Sequence, residues 1–156
     1  MYTRAYDRER GLLFGLWSGP ANTDDDFERA AADVLLLDRE GEGQPEGVLH
    51  IAETDPDNPV PTAAQRRRLS SAAEVLCHVR VYYFCMVTRS ALVRGVITAL
   101  GWFASSRGDR RNGCRATFEE AVTWAENHRP GVAARLRELR REARQAASLA
   151  RPDRTG

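Results

Sequence analysis

The sequence predicts an α/β domain: a mixed central sheet of about five strands with helices packed on it, plus an extra C-terminal helix. Two stretches carry that prediction. From Val79 to Glu126 the chain reads strand, helix, strand, helix. At the start, Tyr2–Tyr6 and Leu12–Trp17 read as strands joined by turn residues Asp7–Gly11, a hairpin supplying the antiparallel part of the sheet. The remaining strands alternate with helices, which implies right-handed crossovers.

Gly15 inside the second strand points to a bulge or a close backbone approach. Ser18-Gly19-Pro20 ends that strand. Thr23 with Asp26 three residues on resembles a capping box, and Asp24, Asp25 and Asp26 suit the positive end of a helix dipole. That helix runs to about Asp38, with Phe27, Ala30, Ala31, Val34 and Leu35 on one face. Gly41–Gly47 is a loop and Val48–Ala52 a short interior strand. Glu53–Pro61 is an acidic, proline-bearing loop. Thr62 is placed as N-cap of a helix over Ala63–Leu76, with Gln65, Leu69, Ala72, Ala73 and Leu76 as its stripe. Val79–Val87 is a β-branched and aromatic strand. After Ser90, Ala91–Phe103 is an apolar helical segment. Ser105–Asn112 reads as a polar break, Cys114–Thr117 as a short strand, and the segment from Phe118 as a helix. His128–Gly131 breaks the chain. The last helix spans Val132 to about Ala150, on a narrow line of Val132, Leu136, Leu139, Ala143 and Ala146. The expected organisation is a body over 1–128, a basic amphipathic helix over 129–150 and a frayed tail over 151–156.

Composition narrows the function. The 156 residues carry a net charge of +1, yet residues 1–60 hold 5 Arg against 14 acids and residues 61–156 hold 18 Arg against 8. There is no Lys, a signature of GC-rich coding. The longest nearly apolar run, Ala91–Ala104, contains Arg94 and is too short to span a bilayer, so no membrane partner is expected. The N-terminus has no signal-peptide pattern. Cys77, Cys85 and Cys114 form no C-x-x-C pair, which argues for a reducing cytoplasm and for cysteines as small apolar filler.

Three local patterns resemble the STAS-like superfamily, which includes anti-sigma-factor antagonists and a looser branch similar to the Sec14 lipid-binding fold. Pro61–Leu69 resembles the helix start after the third strand. Ser90–Leu100 resembles the helix after the fourth strand. Phe118-Glu119-Glu120-Ala121-Val122-Thr123-Trp124 resembles the closing motif of looser members. The resemblance covers roughly residues 1–128. It implies a non-enzymatic, bacterial, cytoplasmic protein-interaction module with a regulatory role. The alternative it implies is a small-molecule or lipid carrier of the Sec14-like type, a reading that Trp102, Trp124 and the apolar segment from Leu92 to Phe103 also motivate. One departure stands out. The phosphorylated serine box of the anti-sigma-factor antagonists is absent, and the region reads Thr54-Asp55-Pro56-Asp57-Asn58-Pro59-Val60-Pro61-Thr62. Thr62 is the candidate phospho-acceptor there, since a phosphate would meet free backbone N–H groups at a helix N-terminus.

The chemistry-bearing residues are sparse. His50, His78 and His128 are scattered and match no metal spacing. No G-x-S-x-G elbow, Walker loop or G-x-G-x-x-G occurs. No catalytic residue, metal or cofactor is therefore expected. Arg66-Arg67-Arg68 lacks interleaved aromatics and follows an acidic loop, so nucleic acid is not expected either. The candidate interaction surface is Arg66, Arg67 and Arg68 with the seam Val132, Leu136, Leu139 and Arg140. Its expected occupant is a partner protein, a second copy in an antiparallel homo-oligomer, or the chain's own body.

Overall fold

The computed structural model describes residues 1–95 and 109–150. Five strands form one sheet in the order β1-β2-β3-β4-β5. They are β1 Tyr2–Asp7, β2 Leu12–Trp17, β3 Val48–Thr54, β4 Val81–Val87 and β5 Asp109–Arg115. β1 pairs with β2 antiparallel, and the other pairings are parallel. The sheet is therefore mixed, as the hairpin and the strand–helix alternation required.

Helices cover both faces. α1 Asp24–Glu40 and α2 Ala63–Glu74 pack against each other on one face. α3 Phe118–His128 and α4 Ala133–Leu149 lie on the other. Strand alternation divides the side chains between these layers. Leu12, Phe14, Leu16, Leu49, Ile51, Tyr83, Cys85 and Val87 join the core under α3 and α4. Leu13, Val48 and Tyr82 face α1 and α2 with Leu37 and Leu76. β2 and β3 are covered on both faces, so their sequences are nearly continuous apolar runs.

Local chemistry sets the helix starts. Thr23, Thr62 and Thr117 each cap a helix, and Asp26, Gln65 and Glu120 return the bond to the cap's backbone. Gly15 has its close approach: a Cβ there would lie 2.9 Å from Tyr2 Cε2, so the glycine lets the Tyr2 ring lie across β2.

Several expectations are corrected. β5 begins at Asp109 rather than Cys114, so Asp109–Asn112 are strand and not break. This edge strand has no apolar alternation, and its pairing with β4 makes it a strand. Glu53 belongs to β3, not to the following loop, and is buried. The inward line of α4 ends at Ala147, while Ala146 is exposed, as a 3.6-residue period demands. Cys77 is exposed rather than filler. Residues 91–95 are helical, and the rest of the helix expected to Phe103 lies outside the described residues, as do Trp102 and the 151–156 tail. No helix among the described residues is long and apolar enough to cross a membrane.

Candidate functional site

A partly enclosed cavity of about 370 Å³ lies between the sheet and the α1–α2 layer. Tyr2, Trp17, His50, Ala52, Phe84 and Met86 contribute its sheet wall. Ala30 and Val34 reach it from α1, and Leu69 and Ala73 from α2. Arg67, Ser70, Glu74, Arg110 and Asn112 add polar groups. The aromatic end is built as a stack. The Tyr2 and Trp17 ring centres are 4.8 Å apart, and Trp17 sits 4.5 Å from Phe27.

His50 brings an imidazole into this wall. It is the third residue of β3 and lies opposite Phe84, whose ring centre is 5.1 Å away. It is 6% exposed. Its Nδ1 lies 3.1 Å from Tyr82 Oη, while its Nε2 is buried with no hydrogen-bond partner among the described residues. Burial pushes the imidazole down to about 3, so it is neutral at physiological pH. Burial also drives the Tyr82 hydroxyl far above its ordinary value, so it keeps its proton. That proton needs an acceptor, and Nδ1 is the neighbour in reach. With Tyr82 donating to Nδ1, the neutral ring carries its own hydrogen on Nε2. The Nε2–H is itself buried. In the sequence His50 matches no metal spacing, and no signal in its neighbourhood marks it as part of a cavity.

Arg110 fixes the β5 side of the cavity. Its guanidinium donates to the carbonyls of Ala73 and Leu76, at and just beyond the end of α2. Those carbonyls lie where a helix leaves acceptors without intrahelical partners. An edge-strand arginine therefore anchors the helix that roofs the cavity.

Apart from Arg67, the residues proposed from sequence lie away from the cavity, and together they do not form one site. Thr62 is the N-cap of α2, with its Oγ1 accepting from the Gln65 N–H. Arg66 donates to the Pro61 carbonyl, and Arg68 pairs with Glu28 at 3.1 Å. Arg67 reaches the cavity rim. Val132, Leu136 and Leu139 are buried in the chain's own core. Arg140 binds Glu53 with two bonds of 2.7 Å and lies 4.5 Å over the Phe118 ring. Arg144 adds a 2.8 Å bond to the same carboxylate. The seam is thus covered by the sheet of its own chain. Trp124 packs over Gly113 on the face away from the cavity.

A second cluster has the look of chemistry. Ligand atoms of Asp38, Cys77 and His78 lie within 4.8 Å of one another. Asp38 already accepts from the backbone N–H groups of Cys77, His78 and Val79, and its Oδ2 is 2.7 Å from His78 Nδ1. It works as a clip between α1 and the α2–β4 connection. The thiol and the carboxylate both face Nδ1, the thiol at 3.6 Å. A nucleophile–base relay needs the two ring nitrogens on different partners.

Comparison with known proteins finds no matching family model, no matching curated protein and no matching solved structure.

Proposed function

We propose that this chain is a binding module for a small, largely apolar molecule. One observation carries the reading: a cavity of about 370 Å³ with a mostly apolar lining. The size is at the lower end of ordinary ligand pockets, and a few convergent polar groups in an apolar lining are typical of them. The resemblance to the Sec14-like branch supports the same reading. The amphipathic helix that favoured a docking module has its apolar stripe against its own sheet, which moves the weight to the cavity.

Ala73 lies on α2 at the cavity, and a larger side chain there would project into the space. The test is titration with N-phenyl-1-naphthylamine, followed by its fluorescence, on wild type and on Ala73→Phe. Saturable one-to-one binding by wild type, weakened at least tenfold in the variant, is expected. No saturable binding, or equal binding by a folded Ala73→Phe, overturns the reading.

A further inference from the structure

We propose that Asp38, Cys77 and His78 form a site for one zinc-like divalent cation, held by the carboxylate, the thiolate and the imidazole Nδ1, with water in the fourth position. The Cys77 thiol lies 3.6 Å from His78 Nδ1, and Asp38 Oδ2 lies 2.7 Å from the same nitrogen. All three donor atoms fall within 4.8 Å of one another. Two groups aimed at one ring nitrogen serve a proton relay poorly, but they surround a point that a cation can occupy. Zinc takes tetrahedral sets of sulfur, nitrogen and oxygen, at about 2.3 Å from sulfur and about 2.0–2.2 Å from the others. Those bond lengths place sulfur about 3.6 Å from nitrogen, and nitrogen about 3.4 Å from oxygen. The first spacing is already present. The second requires the Nδ1–Oδ2 contact to open by about 0.7 Å as the ion replaces the Nδ1 hydrogen. The His78 side chain is 44% exposed and has room to turn.

The surroundings supply what such a site needs. Asp38 accepts from the backbone N–H groups of Cys77, His78 and Val79, so its carboxylate is already aimed. Outer bonds of this kind orient metal-bound carboxylates. Asp38 is buried, whereas Cys77 and His78 are exposed, so an ion enters from solvent and meets a fixed anchor. On binding, the thiol proton leaves to solvent and the ring carries its hydrogen on Nε2. The donor set chooses the ion. Calcium and magnesium take oxygen ligands, while one thiolate with one imidazole suits zinc. None of the three residues lines the cavity, so this site stands apart from the ligand reading.

The test titrates untagged, chelator-treated protein with Co²⁺, a spectroscopic stand-in for Zn²⁺. One ion per chain is expected, with a thiolate-to-cobalt band in the near ultraviolet that disappears when Zn²⁺ is added. Cys77→Ser should abolish the band, and His78→Ala should weaken binding by about tenfold or more. Cys114→Ser should keep both band and affinity. Thermal melting then tests Asp38. Cys77 and His78 are neighbours in sequence and stay together in the unfolded chain, whereas Asp38 reaches them only through the fold. A site made of the neighbours alone would bind both states and leave the melt unmoved. The three-ligand site binds the folded chain, so Zn²⁺ at a hundredfold excess over its Kd should raise the midpoint by about 5–10 °C. The rise should be missing in Cys77→Ser. No saturable binding overturns the proposal, as does one ion per two chains. A band that survives in Cys77→Ser overturns it by placing the ion on another thiol. Binding without a rise in the melt overturns it by removing Asp38 from the ligand set.

Discussion

Glu53 shows how one side chain can fasten a helix to a sheet. It closes the α4-side face of β3, is 7% exposed, and receives Arg140 and Arg144 from α4. Burial pushes its carboxyl upward, but the bonds and charges of the two arginines outweigh that and hold it below its ordinary value. A carboxyl lowered on folding adds stability above its unfolded pKa, and that stability is lost as pH falls through the folded value. Glu53→Gln should therefore destabilise the chain at neutral pH. Both arginines are partly solvated, so about 1–3 kcal/mol is expected rather than the full cost of an orphaned buried charge. Chemical denaturation should show the gap closing below about pH 4.3. A variant as stable as wild type at pH 7 would mean that the two arginines find solvent without loss.

At the scale of elements, the tightest constraint lies where β3 begins. Gly47 has φ +79°, and a Cβ there would collide with the Val81 carbonyl oxygen at the start of β4. Gly47→Ala should cost at least about 2 kcal/mol, since strain and clash add. A thermal melt unchanged from wild type would show that β3 and β4 can separate at that end. The elements were legible to different degrees for physical reasons. β2, β3 and β4 announce themselves because burial on both faces demands apolar, β-branched and aromatic residues. The helix starts were legible because Thr23 and Thr62 sit in local capping patterns. β5 was misread because Asp109–Asn112 lie on an edge, where pairing to β4 replaces hydrophobic alternation. The cavity left no local trace. It arises where Tyr2, Trp17, His50 and Phe84, from four strands, meet Leu69 of α2. Side chains that far apart in sequence converge only through strand order and register. The seam on α4 was legible as an amphipathic stripe, but a stripe does not state what covers it.

At the scale of the whole molecule, the two sides of the sheet are filled differently. The α3–α4 side is a continuous core from Ala5 to Ala147. The α1–α2 side divides into two smaller clusters, and the cavity draws residues from both. Interiors are otherwise packed like organic crystals, so a loosely packed layer concentrates a protein's compressibility. Hydrostatic pressure favours whichever state occupies less volume, and unfolding removes internal voids. Compression should therefore perturb this molecule on one side first. In high-pressure NMR, amides of α1, α2 and the strand segments around His50 and Phe84 should show the largest nonlinear shifts, while those of α3 and α4 change smoothly. Occupying the space with a small apolar guest, or with the ring of Ala73→Phe, should raise the pressure at which half the molecules unfold. Equal responses from both sides would mean that the α1–α2 layer yields no more than the α3–α4 layer. An unequal one would make pressure a direct gauge of how full the space is, readable before any natural guest has been identified.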